Sequence, residues 1–332
     1  MTNSLQLQPG RQCLIRYPLS ALAVSLGVCL FSTTSRAAET VDSASSREAE
    51  EAMIVTAHRI EMPASRVGSS VSIVDRELLV ERQSVFAVDL LQDVPSVAVS
   101  RTSGYGSLTD VRIRGAEANQ VLVVIDGVEA NDPALGDSFD FNSLNSYDID
   151  NIEVLRGPQS ALWGSDAAAG VINIRTRQGD PGFSAGGFLE GGSNSTVFGG
   201  GNASYNTDRG GINVYGSYFD TDGEDATMEG DEDDGFDSLN LSMNGRWQPT
   251  DTTRLSMFSR YSESNSDYDG TDFTTGLPAD ADNDSEDESL LVSASGGIST
   301  FDGVWDQSVR LTYLDSDHQQ NSAGVENAKT SA

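Results

Sequence analysis

Only two cysteines occur, Cys13 and Cys29, and both fall within the first 37 residues. Past that point the chain can form neither a disulfide nor a thiolate metal site, so stability must come from hydrogen-bonded sheet and packing. Histidine is as scarce, with His58 and His318 alone. No serine elbow, zinc spacing or paired-carboxylate cleft accompanies them, and the chain does not read as an enzyme. Basic residues number 20 against 51 acidic ones, a formal net charge of −31. That balance excludes a nucleic-acid partner, which needs a basic face. Past the leader there is no run of about 18 apolar residues, so a membrane role would have to use strands.

What is present begins with an address. Arg11 and Arg16 precede an apolar run of 13 residues, "LSALAVSLGVCLF" (19–31), and small residues follow near Ala37. The run is short for a bilayer span and reads as a cleaved secretory signal peptide over 1–37. Val28 sits where a lipid anchor on Cys29 would want a small residue. Residues 38–62 read as a polar, acidic linker, broken by the apolar-leaning stretch Met53, Ile54, Val55, Thr56, Ala57. Two readings stay open for that stretch. It is either the first strand of the domain that follows, or a tethered segment that adds as a strand to a partner's sheet edge.

Residues 63–178 read as one mixed domain. "VSIVD" (71–75), "VAVS" (97–100), "DVRIRG" (110–115), "VLVVIDG" (121–127), "IEVLRG" (152–157) and "GVINIRT" (170–176) predict strands bounded by Gly, Asn or Asp. Two short helices are predicted between them, with Asp75 and Ser84 as N-caps and Pro95 ending the second. "PQSALWG" (158–164) predicts a further short helix with Pro158 at its first position.

At Gly179 the pattern changes to runs of about ten residues with a period of two. Seven strands are predicted between 182 and 315, with short turns on one side and long acidic connections on the other. That arrangement is the signature of an outer-membrane β-barrel; a soluble sandwich or adhesin is the alternative. Tyr215, Tyr218, Phe219, Trp247, Tyr261, Trp305 and Tyr313 near strand ends favour the membrane, as an interfacial girdle. Seven strands would leave open edges in lipid, so 179–332 reads as the N-terminal part of a longer barrel, and "NSAGVENAKTSA" as a tail without a strand.

The acidic connections stand out. Residues 220–237 hold ten Asp or Glu and no Lys or Arg, and 263–288 hold ten more, again with none. Such crowding is relieved by disorder or by hard divalent cations, which take six to eight oxygens. A generically salt-adapted surface is the third reading, disfavoured because 67–177 is only mildly acidic. "DADNDSEDE" (280–288) starts like an EF-hand, but Ser285 takes the glycine position and Leu291 the closing glutamate. "GYGSLT" lacks the third glycine of a nucleotide loop.

The strings "MIVTAHR", "VRIRG", "VLVVIDGV" and "IEVLRGPQSALWGSDAAAGVINIRT" resemble those of the TonB-dependent outer-membrane receptors. The resemblance is dense over 50–178 and thinner beyond. It implies an α+β plug domain inside a transmembrane antiparallel β-barrel, of which about the first seven strands are present. It also implies a monomer in outer-membrane lipid, with Met53 to Ala57 as the box that docks the energy-coupling partner TonB. Within that family the acidic loops resemble those of the cobalamin (vitamin B12) receptors. Carried across, Asp225, Glu232, Asp234, Asp269 and Asp280 would be calcium ligands, Glu232 departing from the Asp expected there. Tyr105, Gly106, Ser107, Leu108, Ala134, Leu135 and Gly136 would lie in the apical plug loops that meet substrate. Alternation in "VRIRG" and "IEVLRG" turns Arg112 with Arg114, and Glu153 with Arg156, to be plug–barrel contacts; plain surface charges are the other reading. The expected activity is active import of a scarce nutrient, most simply a corrinoid. A ferric siderophore receptor and a passive porin or adhesin are the alternatives.

Overall fold

The computed structural model describes residues 53–54, 62–63, 68–101, 104–224, 233–271, 278–301, 303–322 and 325–332. The leader over 1–37, most of the linker, Val55, Thr56, Ala57, His58, Asp225 and Glu232 lie outside the described residues. Two short strands, β1 (Met53–Ile54) and β2 (Met62–Pro63), pair antiparallel, Met53 facing Pro63 across the ladder.

The domain that follows is built on a five-stranded sheet. Its members are β3 (Ser70–Val74), β6 (Val121–Ile125), β7 (Val128–Glu129), β8 (Ile149–Arg156) and β9 (Gly170–Thr176), in the order β3-β8-β9-β6-β7. A separate hairpin joins β4 (Val97–Arg101) to β5 (Thr109–Ile113). Strand β6 reads "VLVVI" without alternation because both of its faces are covered, and all five residues are buried. One face packs Val121, Val123, Ile125, Ile152, Val154, Ile172 and Ile174 against the helices. The other packs Leu122, Val124, Leu155 and Val171 with Ala167. Each such side chain contributes about 1.5–3 kcal/mol when fully buried. At the head of β9 the backbones come so close that a Cβ on Gly170 would lie 2.4 Å from the Leu155 carbonyl oxygen.

Helix α1 (Arg76–Arg82) starts as expected, the Asp75 carboxylate accepting from the Leu78 N–H at 2.9 Å. Helix α2 (Ala87–Leu91) does not use Ser84: Phe86 holds the cap position with no side-chain bond. A tertiary bond replaces the cap, the Ala87 N–H donating to the Leu144 carbonyl at 2.9 Å. Helix α3 (Ser160–Trp163) begins two residues after Pro158, because Gln159 is turned back to donate its N–H to the Ala167 carbonyl.

From Gly182 the chain forms one antiparallel wall of eight strands in sequence order. They are β10 (Gly182–Gly191), β11 (Val197–Thr207), β12 (Gly210–Thr221), β13 (Phe236–Thr250), β14 (Thr253–Thr271), β15 (Pro278–Thr300), β16 (Trp305–Ser322) and β17 (Val325–Ser331). Two expectations are corrected here. The tail is a strand, since β17 completes its ladder against β16 with His318 opposite Thr330. The acidic stretch 263–288 is mostly ladder rather than loop, with Glu263 opposite Glu288 and Asp267 opposite Asp284. Glu263, Asp267, Asp284, Glu286 and Glu288 share one face of this ladder, whereas Asp287 turns to the other, so hydrogen bonds must offset the repulsion. The Tyr261 hydroxyl donates to both Glu263 (2.8 Å) and Glu288 (3.1 Å).

The wall inverts the usual polarity. Ile212, Val214, Leu241, Met257, Val292, Val309 and Leu311 are exposed on the outer face. Asn213, Ser217, Asn240, Ser242, Ser293 and Ser316 are buried on the inner one. Apolar outside and polar inside is what a lipid-embedded barrel requires. Trp305 and Tyr313 bound the band on β16. The segment between them spans roughly 27 Å of strand at ~3.4 Å per residue, matching the apolar height of such barrels once tilted.

Candidate functional site

The plug-like domain meets the inner face of the wall along a seam that combines hydrogen bonds with an aromatic cluster, in which Phe86 packs on Phe219 and Phe236 of the wall at centroid distances of 5.3 and 6.0 Å. The seam's lower part is the segment Asn145–Asp148. Asn145 donates to the Ser217 hydroxyl at 2.6 Å, and the Tyr147 hydroxyl donates to Asn202 at 2.8 Å. The Asp148 carboxylate accepts from the Ser242 hydroxyl at 2.8 Å and faces the Arg260 guanidinium at 3.5 Å. Arg260 also donates to the Asn240 side-chain oxygen at 2.6 Å. Where the domain runs into the wall, Asn244 donates to the Thr176 hydroxyl (2.7 Å) and the Tyr215 hydroxyl to the Arg177 carbonyl (2.7 Å).

The upper part holds the apical loops. Asp140 stitches them together, one carboxylate oxygen accepting from the Thr109 and Asn142 N–H groups, each at 3.0 Å. Asn142 in turn donates to the Gly106 carbonyl at 3.0 Å, and the Phe141 N–H to the Thr109 carbonyl. The two expected substrate loops are therefore adjacent. Tyr105 and Leu108 are exposed, Ser107 is buried, and Ala134 and Leu135 are half-buried beside exposed Gly136. Tyr105 stacks obliquely on Phe86 and on Phe219 of the wall, each ring centroid 5.7 Å away. Gly106 adopts φ +77° and runs directly beneath Phe236, whose ring would lie 2.1 Å from a Cβ placed there. Only glycine fits that position.

Burial pushes the Asp140 carboxyl up to about 7, more than its two backbone hydrogen bonds lower it. In the folded protein the group keeps its proton up to about pH 7, whereas unfolded it loses it near 3.8. The folded state therefore holds the extra proton between these values, and the contribution to stability falls as pH rises through that window. Hydrogen exchange at the Thr109 and Asn142 amides is expected to quicken from pH 4 to 7, after correction for intrinsic rates. Asp140→Asn, which keeps the acceptor without the titration, is expected to abolish that dependence; an unchanged slope would refute the assignment.

The remaining expected residues distribute as follows. Arg112 pairs with Asp110 (3.5 Å) and Glu117 (3.6 Å). Arg114 lies over Gly157, Glu153 is buried in the sheet between Ile73 and Asn173, and Arg156 donates to the Pro95 carbonyl at 2.6 Å. These four are tied within the domain, because β8 is an interior strand and β5 pairs only with β4. Described wall contacts come instead from polar residues that no periodicity singles out, among them Asn145, Tyr147, Asp148, Thr176 and Asp132, and from the aromatic rings of Phe86 and Tyr105. Of the expected cation ligands, Asp234 is buried and Asp269 accepts from the Ala281 N–H at 3.2 Å. Asp280 lies in β15, and its side chain is outside the described residues. Among the described residues no group of three His, Cys, Asp or Glu is placed to hold a metal ion.

Comparison with known proteins agrees with this geometry. Residues 63–171 match the family model of the TonB-dependent Receptor Plug Domain. The chain is 40% identical over 129 residues to the vitamin B12 transporter BtuB of Vibrio vulnificus (strain CMCP6), covering 39% of this chain and 21% of that protein. Among solved structures, the Pseudomonas aeruginosa receptor FpvA superposes with a TM-score of 0.68 at 16% identity, covering 81% of this chain and 37% of that one. The alcaligin receptor FauA of Bordetella pertussis gives 0.62 at 15% identity, covering 81% and 42%. The ferric enterobactin receptor PfeA of P. aeruginosa gives 0.57 at 19%, covering 75% and 41%. The match thus spans about a fifth of the curated relative and under half of these solved chains. Residues 63–171 are thus a plug domain of the TonB-dependent receptor family, seated on an antiparallel wall whose outer face is apolar.

Proposed function

We propose that the protein imports a corrinoid of the cobalamin type across the outer membrane, driven through TonB, after export by a cleaved leader. The observation that carries this reading is the 40% identity to a vitamin B12 transporter, in a chain whose two apical plug loops are stitched together through Asp140 and Asn142. The hydrogen-bonded stretch of the seam suits a part that must shift under force. Hydrogen bonds of this kind are worth about 0.5–1.5 kcal/mol each, so they locate the plug without fixing it permanently.

Charge supports the choice of substrate. Neither 220–237 nor 263–288 contains a Lys or Arg. A strongly anionic ferric catecholate would be repelled by that field, whereas a neutral or zwitterionic corrinoid would not. The same crowding supports calcium as a loop-ordering ligand of Asp225, Glu232, Asp234, Asp269 and Asp280, since carboxylate oxygens are its preferred donors. Calorimetry of cobalamin binding to the receptor in native outer membranes tests this directly. Calcium is expected to tighten binding by at least about tenfold, a coupling of about 1.4 kcal/mol. An affinity indifferent to calcium would remove the corrinoid reading and leave a siderophore as cargo.

A further inference from the structure

His318 lies between two carboxylates contributed by different parts of the molecule. Its Nε2 is 2.8 Å from Asp132 of the plug, and its Nδ1 is 2.7 Å from Asp287, its cross-strand partner on β15. All three side chains are largely buried. An ionised carboxylate only accepts, and a neutral imidazole has a single N–H. A ring making both contacts therefore donates from both nitrogens and carries a positive charge. Asp132 uses its other oxygen to cap the turn Pro133–Leu135, accepting from the Ala134 N–H at 2.8 Å. That turn carries Ala134, Leu135 and Gly136, the apical residues expected to face ligand.

We propose that His318 is a positioning residue for this turn, holding it to the wall only while the imidazole carries both protons. The inference rests on the receptor reading for the turn's role toward ligand, but not for the clamp itself. Loss of one ring proton would set a lone pair against a carboxylate and replace attraction by repulsion. The other charged groups lining the small cavity around the ring are Asp140 of the plug, Arg260 of β14 and Glu288 of β15. Asp132 agrees with a cationic neighbour. Burial raises its carboxyl, yet the hydrogen bond from His318, the nearby Ser316 hydroxyl, the Ala134 N–H and the charge of His318 together outweigh burial and hold it below the ordinary range.

A nitroxide at Ala134→Cys, in the receptor reconstituted into lipid nanodiscs, reads the turn without ligand or TonB. At neutral pH the label is expected to be immobilised. H318Q, which is neutral at every pH, is expected to raise the mobile fraction about tenfold or more, as for loss of a charge-assisted hydrogen bond. H318R keeps charge and two-sided donation and is expected to stay within about twofold of the unsubstituted chain. Raising the pH should free the label in a single titration that H318R lacks. An unchanged H318Q spectrum, or an H318R as mobile as H318Q, overturns the proposal. If H318Q does not assemble, the pH titration of the unsubstituted chain decides, and a flat profile overturns it. Because the spectrum needs no cargo, a failed corrinoid reading and a failed clamp are separable.

Discussion

Arg260→Ala is expected to loosen the plug's lower seam by about 3–5 kcal/mol, the cost of leaving one member of a buried ion pair without the other. Arg260 and Asp148 have side chains only 8% exposed, and water cannot replace the lost partner. Asp148 would keep a single hydrogen bond, from Ser242, and Asn240 would lose the donor to its side-chain oxygen. Native-state hydrogen exchange at the amides of residues 145–149 measures the loss, and a change below about 1 kcal/mol would refute the role. Coupling the change to Asp148→Leu should recover most of it, since replacing a whole buried pair by apolar groups is often close to neutral. The recovery separates charge pairing from simple truncation.

The fold was readable in the sequence wherever local chemistry decides it. "VLVVI" announces a strand covered on both faces, Asp75 announces a helix start, and the period of two after Gly179 announces the wall. Reading failed where a distant partner decides. Ser84 looks like a cap, but the Leu144 carbonyl takes the bond that a cap would have made. The tail from Val325 lacks apolar alternation and becomes a strand because β16 offers it an open edge. The acidic stretch 263–288 looks like loop because its carboxylates repel in an isolated chain. In the ladder their backbones are paired and their side chains find hydroxyl and amide donors such as Tyr261 and Asn321.

The candidate site divides the same way. The apical loops were marked by resemblance, and Asp140 with Asn142 explains why they lie together. The seam was not readable. Arg112 and Arg156 attract notice as charges in an alternating strand, yet Arg112 pairs with Asp110 and Arg156 donates to the Pro95 carbonyl, both inside the plug. Many of the contacts that reach the wall belong to residues such as Asn145, Tyr147 and Asp148, which resemble ordinary turn residues until the wall is beside them. His318 likewise reads as a strand-end histidine, because its two carboxylates come from positions 132 and 287.

Deletion of residues 52–58 tests the account most directly. A short extended segment can add to a partner's sheet edge through main-chain hydrogen bonds, with little demand on its side chains. Met53 and Ile54 already adopt strand geometry against Met62 and Pro63, just ahead of the plug's first sheet strand at Ser70. On the proposed reading a pull on that segment would reach the plug through the chain that joins them, and without it nothing would open the seam. The measurement is uptake of labelled cobalamin by cells that rely on this receptor, beside equilibrium binding to their outer membranes. Uptake is predicted to fall to background while binding stays within about twofold of normal; undiminished uptake by the deletion variant would contradict transport driven by pulling on the plug.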